Sequence, residues 1–291
     1  MKKFLCFLVL FFCIGIVTYP KITSQKKYNR IISLSMAGDE ILHDMIDRDR
    51  VIAFRGKASN NEMTSILYNK INKFEKVEDN VERMIELEPD IIIAADWLKK
   101  EIRAQLEDAG INLYIYKTPF TYEEVQSLIK ELASLLEEEE RGEKIIKAMD
   151  IRLSNLQEKI KKTQKKSPRV LEYSHYEGTN GKGSIFDDML KKVYAINLAS
   201  EIGIGRFAKI SKEAVIEMDP DIILVPIWNS SNDSKDQEFL KFIKMDKSYA
   251  DLNVVKSNKV YTIPGKYIYV YSHYIIEGIE NMAKSIYQLE D

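Results

Sequence analysis

The sequence predicts an α/β protein made of two similar halves, each a doubly wound parallel sheet, with one long helix between them. Three observations carry this reading. First, the stretch 80–97 recurs without a gap at 211–228. Pro89 and Pro220 stand 131 positions apart, and the same offset aligns Glu82 with Glu213, Asp90 with Asp221 and Trp97 with Trp228. Second, strand-like and helix-like patterns alternate on both sides of the chain's middle. Third, the middle, residues 137–166, is helical in pattern, free of proline and holds a single glycine, Gly142.

The elements follow in order. Residues 1–25 read as a signal or anchor segment with its tether. Lys2 and Lys3 precede an uncharged, mostly apolar run over 4–19, the layout of an export signal. At 16 residues the run is short for a membrane span. Cys13 invites lipidation, yet it follows Phe11 and Phe12, where lipidation signals want small residues. Both cysteines, Cys6 and Cys13, lie here, so the remainder has neither disulfides nor thiolate metal or redox sites.

The first lobe, 26–136, opens with a strand over 30–35. A turn at Met36, Ala37 and Gly38 leads to an amphipathic helix over 39–47 and a strand over 51–54. A polar loop over 55–61 then enters a helix running to about Lys73. In the repeated stretch a short helix starts at a polar cap, Asn80 or Ser211, with an acid in its first turn. Pro89 and Pro220 disfavour helical geometry at the residue before them and end it. The apolar runs 91–95 and 222–225 suit strands inside parallel sheets covered on both faces. Trp97 and Trp228 follow the carboxyl ends of those strands, where open α/β sheets collect ligands. A helix over 98–109 stops at Gly110; a strand over 111–116 and a helix over 121–136 complete the lobe.

The linker helix, 137–167, carries an apolar stripe of Ile145, Met149, Leu153, Leu156 and Ile160. Acids crowd its start and lysines its end, which suits the helix dipole, and it spans on the order of 40 Å. Ser167 and Pro168 end it. The second lobe, 168–291, has a strand over 169–173, a loop over 174–183 with Gly178, Gly181 and Gly183, and a helix over 185–194. The second repeat copy comes next. A polar loop over 229–236, a helix over 237–242, a turn and strand over 258–263 and a closing helix over 275–289 follow.

Composition narrows the function. With 45% apolar residues and a net charge of −2, the chain is an ordinary globular sequence and not a bulk nucleic-acid binder. No G-x-x-x-x-G-K-[ST] occurs, and no G-x-G-x-x-G follows a strand, so no phosphate-cradling loop is indicated. No spacing justifies a Ser-His-Asp or paired-carboxylate centre. Trp97 and Trp228 are the only tryptophans. They read either as two aromatic walls against a flat or apolar ligand or as plugs at the edge of each lobe's core.

The order and spacing of several stretches carry a resemblance. These are Arg30 to Ser35 with Glu40, Ile41 and Leu42, both repeat copies, Asn197 to Ala199, and Gly278 to Lys284. From Arg30 onward the chain resembles the substrate-binding proteins of ABC importers for iron complexes and cobalamin. The family usually has Pro-Ser after the first strand; Met36 and Ala37 stand here, which leaves the ligand open. The resemblance implies two Rossmann-like lobes on one backbone helix, the class III periplasmic-binding-protein type, with a metal chelate trapped between them. It implies no enzyme activity and no intrinsic cofactor. The expected cargo is a ferric siderophore first, with haem or a corrinoid such as cobalamin as alternatives. The expected partner is a permease dimer with its ATPase subunits. The expected place is the outer face of the cytoplasmic membrane, held by the N-terminal segment, or the periplasm or exterior. A membrane-held chelate sensor, or an enzyme of chelatase-like or nitrogenase-like fold, are the other readings.

Residue by residue, Glu82 and Glu213 match the family's two permease-docking glutamates; each also simply favours its helix dipole. Candidate ligand-binding residues are Met36, Arg55, Trp97, Tyr173, His175, Tyr176, Trp228, Tyr267, Tyr269 and His273. Of these, His175 and His273 are also candidate metal ligands, for haem iron or a chelate with an open position. Tyr271 and Tyr274 crowd the same loops. Lys57, Lys99 and Lys266, like Arg55, lie near strand ends and could meet an anionic chelate or haem propionates. His43 reads as structural.

Overall fold

The computed structural model describes residues 27–56, 61–163, 166–231 and 234–289. The export segment with Cys6 and Cys13, and also Lys57, lie outside the described residues.

The first sheet is built from β1 (Ile31–Ser33), β2 (Val51–Phe54), β3 (Glu75–Lys76), β4 (Ile91–Ala95) and β5 (Leu113–Tyr116). All pairings are parallel, in the order β3-β2-β1-β4-β5. β4 is buried along its whole length, as an unbroken apolar run at the centre of a covered sheet requires. Around it lie α1 (Met36–Met45), α2 (Val81–Glu86), α3 (Lys100–Asp108) and α4 (Tyr122–Leu136). The linker α5 (Glu139–Thr163) leads to the second lobe, which begins with β6 (Arg169–Glu172), β7 (Gly178–Thr179), α6 (Ile185–Lys192), β8 (Ile196–Asn197) and α7 (Leu198–Glu201). It continues with β9 (Ala208–Lys209), α8 (Lys212–Met218), β10 (Ile222–Ile227), α9 (Lys235–Met245), α10 (Asn253–Lys256), β11 (Val260–Pro264) and α11 (Ile275–Tyr287). Its main sheet is again parallel, β11-β10-β6-β8, and β7 with β9 forms a small antiparallel ribbon.

The internal repeat has a physical basis. Asn80 and Ser211 cap α2 and α8, accepting from the backbone N–H of Arg83 and Ala214. Both helices are followed by a residue in left-handed geometry, Glu88 (φ 45°) and Asp219 (φ 42°), just before the proline. In each lobe an arginine at the start of the first strand satisfies the carbonyls freed there. Arg30 donates to Leu87 and Glu88, and Arg169 to Met218 and Asp219. Asp90 and Asp221 complete the match: each accepts from the backbone N–H of that arginine.

Two local expectations are corrected. The turn at Met36 to Gly38 is already helix, because Ser35 Oγ accepts the Gly38 N–H at 3.0 Å and starts α1 there. The helix expected up to Lys73 does not form. Leu67 and Ile71 are fully buried with helical spacing, but local side chains compete for the backbone. Asn61 Oδ1 takes the Met63 N–H, Ser65 Oγ takes the Leu67 N–H, and Asn69 is left-handed at φ 62°. The linker α5 packs against the first lobe. α4 ends at left-handed Glu137, and α5 packs along α4 so closely that a Cβ on Gly142 would lie 2.6 Å from the Ala133 Cβ. One hydrophobic core runs from Ile31 and Ile129 through Met149 and Ile160 to Val170 and Ile279, joining both lobes through α5.

Candidate functional site

The order β3-β2-β1-β4-β5 places its switch point between β1 and β4, and a cavity of about 900 Å³ opens at the carboxyl ends of these strands. Each strand contributes. After β1, Ser35 shares a 2.5 Å hydrogen bond with the Tyr116 hydroxyl, which lies at the end of β5. Burial pushes the Tyr116 phenol well above its ordinary value. Met36 and Ala37 begin α1 at the cavity wall. Asp39, one turn further, is 1% exposed. It accepts long bonds, 3.4 Å each, from the Arg55 and Gly56 N–H groups and a further one from the Ser33 side chain, yet burial outweighs them and raises its carboxyl to about 7.

After β2, the Arg55 guanidinium lies 4.5 Å over the Trp97 ring, which follows β4 and is 50% exposed. Asp79 stands 3.8 Å from the same guanidinium. Asp96 accepts from the N–H and hydroxyl of Thr118, shaping the loop after β5 that presents Pro119 and Phe120. Glu124 holds that loop from the other end by accepting the Phe120 N–H at 2.7 Å.

The second lobe closes the cavity with Arg206, Tyr269 and Tyr271. Arg206 stacks 4.4 Å over Phe120, and Tyr271 meets Phe120 edge-on at 6.1 Å. Tyr269 donates to Glu172 and accepts from Asn180, whose amide also bonds Glu172. Glu172 is fully buried, which raises its carboxyl to about 7. The cavity therefore has aromatic faces, two guanidinium groups stacked on them and the buried Asp39 carboxyl in its wall, with Glu172 behind Tyr269. Such a site can grip a flat or aromatic ligand carrying negative charge. Among the described residues no three His, Cys, Asp or Glu side chains converge to hold a metal ion.

Met36, Arg55, Trp97 and Tyr269 thus stand at the cavity, with Tyr271. The other candidates are placed elsewhere. Tyr173, the residue after β6, is 2% exposed and packs inward in the second-lobe core against Phe239 and Tyr249. His175 lies against Asp236 at 2.6 Å, not aligned for a hydrogen bond, with Tyr176 on its outer face. Trp228 packs behind Tyr269 and over Gly265, where a Cβ would strike its ring. Tyr267 is half-buried against the core shared by the lobes. His273 reaches across to Asp44 of α1 at 3.0 Å, and Tyr274 donates to the same carboxylate. Neither histidine lines the cavity. Lys99 pairs with Asp79 outside the lining, and Lys266 joins the lobes by donating its N–H to the Met63 carbonyl. His43 contacts Asp44, in keeping with a structural role.

Sequence reasoning missed Arg206, Phe120 and Asp39. Phe120 follows a strand end and was open to the same rule that picked Trp97. Arg206 lies in the turn before β9, and nothing local marks it. Glu82 and Glu213 are both exposed, each the second residue of its helix. Hydrogen bonds from its own backbone and Ser211 lower the Glu213 carboxyl.

The profile of the periplasmic binding protein family matches residues 31–267. The chain belongs to that family. An ABC transporter substrate-binding lipoprotein of Bacillus subtilis, uncharacterized, is 27% identical over 91% of this chain and 82% of its own length. The iron-uptake system-binding protein of the same organism is 24% identical over 64% of this chain and 59% of its own length. Among solved structures, a possible iron-binding periplasmic solute-binding protein from Staphylococcus epidermidis superposes with a TM-score of 0.76. It is 22% identical, covering 90% of this chain and all of that one, and shares the fold. This periplasmic binding protein is the substrate-binding component of an ABC importer and not an enzyme. A cognate permease and ATPase are implied.

Proposed function

We propose that this periplasmic binding protein captures a ferric chelate, a siderophore, between its lobes outside the cytoplasm and delivers it to the membrane permease. The observation that carries the reading is the cavity's wall chemistry: Arg55 on Trp97 within the first lobe, and Arg206 of the second lobe on Phe120 of the first. Catecholate or carboxylate chelators present flat rings and anionic oxygens, which such walls hold by stacking and charge-assisted hydrogen bonds. A siderophore supplies its own metal donors, which suits a cavity where, among the described residues, no three His, Cys, Asp or Glu side chains converge. The naming of an iron-uptake relative supports the same class. The N-terminal segment holds the protein at the outer face of the cytoplasmic membrane, and Glu82 and Glu213 meet basic residues on the two permease subunits. Such exposed charges set orientation and on-rate more than raw affinity.

Calorimetric titration with ferric catecholate and hydroxamate siderophores, haem and cobalamin tests the reading. The expected result is tight one-to-one binding of an anionic ferric siderophore and weak or no binding of the other two. Tight binding of haem or cobalamin alone would overturn it in favour of that cargo.

A further inference from the structure

A second pocket, about 320 Å³, lies beside the main cavity and shares four of its wall residues: Phe120, Arg206, Tyr269 and Tyr271. The rest of its wall is second-lobe surface: Asn180, Ser184, Ile185, Phe186 and Phe207. Ile185 and Phe186 form a buried apolar base, and Phe207 is 61% exposed at the rim. The Arg206–Phe120 stack stands where the two spaces meet.

The backbone beneath Arg206 is pinned. Gly181 and Lys182 donate their N–H groups to the Gly205 and Ile204 carbonyls, and a Cβ on Gly181 would strike the Ile204 carbonyl. The side chain is not pinned: Arg206 is exposed, rests on Phe120, and among the described residues no ion pair holds it. An exposed guanidinium–aromatic stack is a weak contact. An anionic ligand in the main cavity offers that guanidinium a stronger partner.

We propose that the Arg206–Phe120 stack is a movable partition, and that the second pocket receives an aromatic or apolar arm of the chelate bound in the main cavity. The inference rests on the proposed capture of an anionic chelate and names a feature of that cargo. Anionic donors draw Arg206 off the ring, and the arm enters over Ile185 and Phe186 beside Phe207.

The test uses two probes of equal charge on the whole protein: the iron(III) complex of a simple tricatecholate, and the same complex with one neutral benzyl arm. The wild-type protein is expected to bind the arm-bearing chelate about tenfold more tightly, through burial of the ring. Phe207 touches only the second pocket and Met36 only the first. Phe207→Ala should therefore reduce the preference to about threefold or less while leaving the armless chelate unchanged, whereas Met36→Ala should weaken both alike. Arg206→Ala should weaken the armless chelate and keep or raise the preference. Saturable binding of both chelates with equal affinity, or a preference untouched by Phe207→Ala, would overturn the partition while leaving chelate capture standing. If folded protein bound neither chelate, the capture reading would fall and the partition with it.

Discussion

Asp44 shows how much one residue can organise. From α1 of the first lobe it accepts from the His43 ring, the His273 ring and the Tyr274 hydroxyl, the last two from the second lobe. Burial works against its charge, but these donors outweigh burial and hold the carboxyl well below its usual value. Asp44→Ala would leave three buried donors unmatched and cost about 2–4 kcal/mol, read as a lower urea midpoint. Three fully buried carboxyls behave oppositely. Burial raises Asp39 to about 7, Glu40 to about 8 and Glu172 to about 7, from 3.8, 4.5 and 4.5. Between roughly pH 4 and pH 8 the folded protein then holds more protons than the unfolded chain, so stability falls as pH rises through that window. Asp44 acts in the other direction: its contribution is present above pH 3.8 and is lost on acidification. Scanning calorimetry should find the highest Tm near pH 5 and a clear decline by pH 8.5. Glu40→Gln should flatten that decline; an unchanged Tm across the range would contradict the assignment. At this scale the sequence was only partly legible. Trp97 and Arg55 could be found because they follow strand ends. Tyr173, His175 and His273 could not be assigned, because sequence places a residue in a loop without saying which way its side chain turns.

Elements were far more legible, because their signals are local. The caps Asn80 and Ser211, the prolines and the buried runs of β4 and β10 are where the repeat predicts them. The failure over residues 62–73 has the same origin, since the asparagine and serine bonds that undo that helix leave the apolar spacing intact. The repeat does not reveal how α5 packs, which Gly142 decides. Gly142→Ala improves helix propensity by up to about 1 kcal/mol. It also drives a methyl to 2.6 Å from Ala133, so the net effect should be destabilising by about 1–2 kcal/mol in urea unfolding. Adding Ala133→Gly should restore much of the loss, a coupling that independent sites would not show.

The whole molecule is two lobes stitched together along several lines. Glu40 bonds Ser272, Asp44 bonds His273 and Tyr274, Tyr122 bonds Asp188, Lys192 pairs with Glu123, and Asn61 bonds the Trp228 carbonyl. With a continuous core running through α5, these contacts limit how far the lobes can part. Cargo exchange then depends on side chains at the cleft and on the permease more than on wide hinge motion. Delivery should accordingly be separable from capture. Reversing charge at Glu82 and Glu213 together should abolish uptake in cells while leaving chelate affinity within about twofold. Surviving uptake would reduce both acids to helix-end residues.

The most direct test of capture in the cleft follows tryptophan emission during titration with a ferric siderophore. Trp97 lines the cavity under Arg55, whereas Trp228 sits behind Tyr269. Saturable quenching is expected in the wild type and in Trp228→Phe, and most of it should vanish in Trp97→Phe with both variants folded. Quenching that persists undiminished in Trp97→Phe, or that appears in none of the three, would contradict capture at this site.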